Sequence, residues 1–224
     1  FMLGNLISFK EHIVSHGAQY LTSFHQVGHL RKVTAQRLQT DPDDISALGH
    51  QIELSLEDKK YRKALETAIR AHQLAPNNAT INKLVTHSVL SAYEKDFVHT
   101  FELASGLAEF MKTRREYGEF LRRLAAGYSN IGDYHRAFEA LLAFSRHASA
   151  ERSLDEDLVL ESGAILTSND RWIRQKSSEL LVLAKRQNDV ELVKNLNQQL
   201  AGAGAELAAD KNWSRLARFL EQFS

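Results

Sequence analysis

The chain has 224 residues, enough to bury a sizeable core without disulfide or metal staples, and it contains no cysteine, so disulfide and thiolate chemistry are excluded. Its 28 Lys+Arg balance 28 Asp+Glu, which leaves no broad field to draw nucleic acid or an anionic membrane. No stretch approaches the ~20 apolar residues needed to span a bilayer.

Hydrophobic residues at 43% and charged residues at 25% fit an ordinary globular chain. Only 2 Pro, among many Ala, Leu, Glu, Lys, Arg and Gln, point to helix almost throughout. The apolar start Phe1–Ile7 has no basic stretch before it and soon meets Lys10 and Glu11, so it does not read as a leader. Leu3, Leu6, Ile7, Ile13 and Val14 instead predict the buried stripe of a helix over about 3–15, with Gly17 placed to end it. A second helix is expected over about 18–39, with Leu21, Phe24, Val27, Leu30 and Leu38 as its apolar positions. Asp41-Pro42-Asp43-Asp44 then breaks the chain and supplies acidic caps for the next helix.

A hairpin follows, with helix A over about 45–56 and helix B over about 60–74, closing on Ala75-Pro76-Asn77-Asn78. Pro42 and Pro76 lie 34 residues apart, and each follows an apolar-periodic helix. A fixed period of this length marks an antiparallel helix pair stacked into a solenoid. Tyr61, Ala64 and Ala71 set an aromatic and small residues at helix B. The aromatic-then-Ala signature recurs at Phe101/Ala104, with helix A of that second hairpin over about 79–95. Ala104 falls 40 residues after Ala64 and 33 before Ala137, so the second hairpin carries an extra turn or a longer loop. The third hairpin is the clearest: helix A over about 116–131 with Leu121, Leu124-Ala125 and Tyr128, and helix B over about 134–147 with Tyr134, Ala137 and Leu141. Gly132-Asp133 makes the tight turn between them.

These residues resemble the tetratricopeptide repeat, whose pattern runs from a large residue through Leu-Gly and Tyr to Ala, a large residue and Pro. Ser55 stands where that family has Tyr, Ala68 where it has a large apolar residue, and Ser149 where the third hairpin would have Pro. The resemblance implies an all-α fold, a right-handed α-solenoid of about three such hairpins with helical N- and C-terminal extensions. One domain over 1–224 is expected: N-terminal helices over 1–42, the clearest repeats over 43–149, and diverged hairpins with a cap over 150–224. In that last part Leu154, Leu158, Leu160 and Ile165 predict one helix, Trp172 to Ala184 a second, and Val190 to Leu200 a third. Gly202-Ala203-Gly204 reads as a break, and Trp213, Leu216, Phe219 and Leu220 as a short last helix.

Chemistry-bearing patterns are sparse. His12/His16 and His25/His29 are four apart, a spacing that puts each pair on one helix face, but a zinc site takes three or four ligands. They read as solvated or partly packed histidines, and no metal or cofactor is expected. Lys112, Arg114, Arg115, Arg122 and Arg123 with Tyr117 and Tyr128 offer an RNA-binding alternative. Glu109, Glu116 and Glu119 interleave with them, which favours a solvated helix face. No phosphate loop, nucleophile elbow or catalytic pairing is present, so no enzyme activity is expected. Trp172 and Trp213 read as core or cap residues, with a surface binding anchor as the alternative.

In the resembling family the second, fifth and ninth places of helix A line a concave groove. Carried over, these are Ser46, Gly49 and Glu53 in the first hairpin, Thr80, Lys83 and His87 in the second, and Glu119, Arg122 and Ala126 in the third. Gly49 and Glu53 depart from the Lys and Asn that the carboxylate-clamp version of the family uses to grip a C-terminal carboxylate. Lys83, His87 and Arg122 form a cationic set suited to an acidic peptide. The resemblance therefore implies a non-catalytic scaffold binding a protein or peptide partner, with self-association through exposed stacking faces also open; a cytoplasmic location is expected, with an exported or periplasmic one as the alternative. A ligand-sensing module of a larger protein is the alternative.

Overall fold

Three short antiparallel strands open the computed structural model: β1 (Asn5–Phe9), β2 (His12–His16) and β3 (Leu21–His25), in the sheet order β1-β2-β3. The structure describes residues 5–16, 21–104, 106–149, 158–159, 166–186, 190–211 and 213–223. This meander corrects the helix expected over about 3–15 and the start of the one expected over about 18–39, whose remainder is helical from Val27. Ile7, Ile13, Val14 and Thr22 are β-branched and prefer the pleated state, where Ile7 pairs with Val14 and Val14 with Ser23. Phe9 pairs with His12, so Lys10-Glu11 is a two-residue hairpin loop, and Lys10 takes a positive φ of 52°. Gly17 and the rest of 17–20 lie outside the described residues.

From Val27 to Ser149 the described residues are helices joined by short turns, as the composition implies. The chain divides into two compact units, Phe1–Ser105 and Gly106–Ser224. In the first, α1 (Val27–Thr40), α2 (Ile45–Glu57), α3 (Tyr61–Leu74), α4 (Ala79–Lys95) and α5 (Phe97–Ala104) follow one another with short turns. The predicted hairpin helices over about 45–56, 60–74 and 79–95 coincide with α2 to α4 to within a few residues, and Phe101 and Ala104, named for the next helix, lie on α5. The Asp44 side chain caps α2 by accepting from Ala47 N (3.1 Å) and also holds Arg37 of α1 (2.7 Å). Asn78 caps α4 by accepting from Thr80 N and Ile81 N. At the α2–α3 turn Asp58 is gripped by both nitrogens of Arg31 and by Lys60, and Lys59 takes a φ of 59°. These cations hold the Asp58 carboxyl well below the usual carboxylate range, the Arg31 hydrogen bonds first.

Within this unit α1 packs on α2, α2 on α3 and α4, and α3 on α4 and α5. Ala64, Ala68 and Ala71 of α3 are fully buried, so their small side chains let α2 and α4 close on that helix. Ile52, Leu65, Val85 and Val89 fill the core around them.

In the second unit a short 3-10 helix (Leu107–Phe110) precedes α6 (Arg114–Asn130) and α7 (Tyr134–Ser149). Thr113 and Glu116 form a reciprocal capping box at the start of α6. The predicted Gly132-Asp133 turn is present: Gly132 sits at φ 80°, and the Asp133 side chain accepts from Arg136 N. Strands β4 (Leu158–Val159) and β5 (Leu166–Thr167) pair antiparallel, which corrects the helix expected across Leu158. Leu154, Leu160 and Ile165, named for the same helix, lie outside the described residues. Then come α8 (Asn169–Arg186), α9 (Val190–Ala209) and α10 (Trp213–Phe223).

The break expected at Gly202-Ala203-Gly204 is also corrected, because α9 runs through it. Ala201, Ala203 and Ala205 carry the helix, Ala203 is buried, and a Cβ on Gly204 would lie 3.8 Å from Phe219 of α10. The terminal helix α10 packs on α7, α8 and α9 together.

His147 in the last turn of α7 ties α6 to α7. Its Nε2–H donates to the Arg114 carbonyl (2.8 Å), and its ring meets Tyr117 edge-on at 5.1 Å. Burial pushes the His147 pKa below its ordinary 6.5, and the Arg114 charge adds to this against the hydrogen bond. The folded chain thus prefers the neutral ring, so the unfolded chain takes up the proton first as pH falls below about 6.5. Urea midpoints should drop between pH 7.5 and pH 5.5, and His147→Gln should flatten that part of the drop. An unchanged slope in the variant would place the titration elsewhere.

Candidate functional site

In the first unit, α2 and α4 meet closely at Gly49, where an added Cβ would lie 3.6 Å from Leu84 Cδ1 and 3.9 Å from Ile81 Cδ1. Farther along both helices a cleft of about 500 Å³ opens between them. Glu53, Leu56 and Glu57 line it from α2, Tyr61 from the start of α3, and Leu84, His87, Ser91, Glu94 and Lys95 from α4. Helical geometry explains the two walls: Glu53 and Glu57 are four apart, and His87, Ser91 and Glu94 step by four and three, so each set shares one face. The Asp58 clamp fixes the α2–α3 turn and so places Tyr61 beside the cleft. A volume of this size suits a small ligand or a few side chains of a larger one.

The lining carries three carboxylates against one lysine, and Lys95 Nζ already sits 2.5 Å from Glu94 Oε1. Glu53 and Glu57 are both exposed, and among the described residues neither forms a salt bridge. Leu56, Leu84 and Tyr61 are half-buried and give the cleft an apolar surface between the charges.

Of the residues carried over from the repeat resemblance, the structure brings Glu53 and His87 together in this cleft. Ser46, Thr80 and Lys83 are exposed on α2 and α4 but outside the lining, and Gly49 is buried between the helices. Glu119 and Arg122 belong to the second unit, where they bind each other. Arg122 donates from Nε to Glu119 Oε2 (3.0 Å) and from its terminal nitrogen to Oε1 (2.6 Å), and Arg123 Nε also donates to Oε1 (2.9 Å). Burial works against the Glu119 carboxylate, yet the two arginines outweigh it and hold its pKa below the ordinary value. Arg122 is therefore committed within its own helix, and the cationic set Lys83, His87 and Arg122 does not assemble in the cleft.

Leu56, Glu57, Leu84, Ser91, Glu94 and Lys95 were not singled out in the sequence. The signal that finds them is helical spacing: Leu56 and Glu57 follow Glu53 by three and four residues, Leu84 precedes and Ser91 follows His87 by three and four, and Glu94 and Lys95 follow Ser91 by three and four. Ser91 and His87 are one turn apart, yet neither side chain makes a hydrogen bond among the described residues.

The other patterns resolve as follows. His12 and His16 lie on β2, not on a helix, and His29 Nδ1 pairs with Glu11 at 2.6 Å. Among the described residues no three His, Asp or Glu side chains gather as a metal ion requires. Trp172 is buried and meets Phe144 edge-on at 5.5 Å, whereas Trp213 is 66% exposed. No helix among the described residues is long and apolar enough to cross a membrane. No family model matches this sequence, and no curated protein does.

Proposed function

We propose that this chain is a tetratricopeptide-like, right-handed helical-repeat scaffold that holds a segment of a protein partner in the cleft between α2 and α4, without catalysis. The observation that carries this reading is the position of the cleft. It lies between the two helices that the repeat pattern marks as groove-lining, and it contains Glu53 and His87, both inferred from that pattern. The packing in the first unit supports it too, since α2 touches α4 and α3 touches α5 as stacked hairpins require.

The test is affinity capture with mass spectrometry, comparing the natural chain, a filled-cleft variant Glu53→Trp/His87→Trp, and Thr80→Glu as a surface control outside the lining. A partner held by the natural chain and by Thr80→Glu but lost from the filled-cleft variant supports the proposal. A partner retained equally by all three places the binding surface elsewhere and sinks it.

A further inference from the structure

We infer that the segment held in this cleft is basic, with Lys or Arg side chains beside apolar ones. The inference rests on the cleft being a binding groove, and it goes beyond that reading in fixing the partner's chemistry. Glu53 and Glu57 stand one helical turn apart on α2 with no cation of this chain in ion-pair range among the described residues. Glu94 faces the same space, and the single lysine of the lining, Lys95, is already paired with it. The lining thus carries more negative than positive charge over the half-buried surface of Tyr61 and Leu84, with Arg31 of α1 acting on Glu57 through space.

This combination fits a long cationic side chain better than any other. The methylene stem of Lys or Arg lies on apolar surface while its head reaches a carboxylate, and a guanidinium can also stack on the Tyr61 ring. An acidic segment would bring like charges together in a concave site, where the field is concentrated and repulsion is largest. The groove therefore inverts the preference that Lys83, His87 and Arg122 suggest when read along the sequence alone. Exposed carboxylates of this kind act chiefly on encounter and selection, and added salt weakens them.

A displayed library of random 12-residue peptides, selected on the immobilised full chain, tests this without a known partner. Lys and Arg should be enriched in the selected pool. The best peptide should lose roughly tenfold or more in affinity to Glu53→Lys/Glu57→Lys, and should also weaken as NaCl rises from 50 to 300 mM, as expected when exposed charges select the ligand. Both positions are exposed, so the variant keeps its fold, which a thermal melt verifies. Enrichment of acidic or uncharged peptides that are lost from Glu53→Trp/His87→Trp overturns the basic preference and leaves the groove reading standing. Enrichment of no peptide, or of peptides indifferent to both variants, overturns both.

Discussion

Phe219→Ala lowers the stability of the second unit by about 3–5 kcal/mol, while Leu220→Ala beside it changes stability by less than about 0.5 kcal/mol. The contrast follows from one turn of α10. Phe219 is 1% exposed, packs against Phe223 at 4.9 Å and lies over Gly204 of α9. Phe223 in turn meets Phe138 of α7 edge-on at 6.0 Å. Leu220 points the other way and is 56% exposed. Truncating Phe219 leaves a hole where α7, α8 and α9 converge on α10, and rigid helices on three sides restrict collapse into it. Both tryptophans of the chain, Trp172 and Trp213, are in this unit, so their emission during urea unfolding reports on it alone. Equal midpoints for the two variants would mean that α10 is not part of the cooperative core.

The helices of the repeat hairpins were legible because their signals are local. Pro42 and Pro76 stop helices, Asp44 and Asn78 cap the next ones, and Ala64 and Ala71 mark the close approach of neighbours. The N-terminal strands were not. Leu6-Ile7 and Ile13-Val14 fit a helical stripe as well as an alternating one, and the hairpin loop Lys10-Glu11 lacks the Gly or Asn that announces such a turn. Only pairing between strands decides for β, and that is non-local. Gly202 and Gly204 misled in the opposite direction: two glycines cost the helix about 1 kcal/mol each relative to alanine, but the neighbouring alanines and the packing of Ala203 and Gly204 outweigh them.

The cleft was legible in part. Glu53 and His87 follow from helix-A places once a repeat register is chosen. The acidic character does not, because it depends on the rotation of α2 and α4 about their axes, which brings Glu57 and Glu94 inward and leaves Lys83 out. Arg122 was assigned to a groove in the sequence although Glu119, its partner, stands three residues before it. On a helix that spacing is contact distance, so the pairing was there to be read.

Asp170→Ala costs the second unit about 2–4 kcal/mol, because it strands two donors that α10 brings inward. The fully buried Gln222 sits between α7 and α8: its Nε2 donates to Asp170 Oδ1, and Ser145 Oγ donates to its Oε1. One turn earlier, Arg218 Nε donates to both oxygens of the same carboxylate, at 3.0 and 2.8 Å. Asp170 also stands in the first turn of α8, where the helix dipole favours its charge. Without the carboxylate, the buried Gln222 amide loses its acceptor and the guanidinium loses its counter-charge. Asp170→Asn keeps one acceptor oxygen but turns an amide nitrogen toward a donor, so its loss falls between those of the natural chain and the alanine variant. Residues 170 and 222 are 52 apart, so the link reads only through their coupling. In urea unfolding followed by Trp emission, Asp170→Ala and Gln222→Leu together should lose clearly less than the sum of the single losses, since the second change removes a group the first had already stranded. Strictly additive losses would show that the two side chains act apart and that apolar packing alone fixes α10.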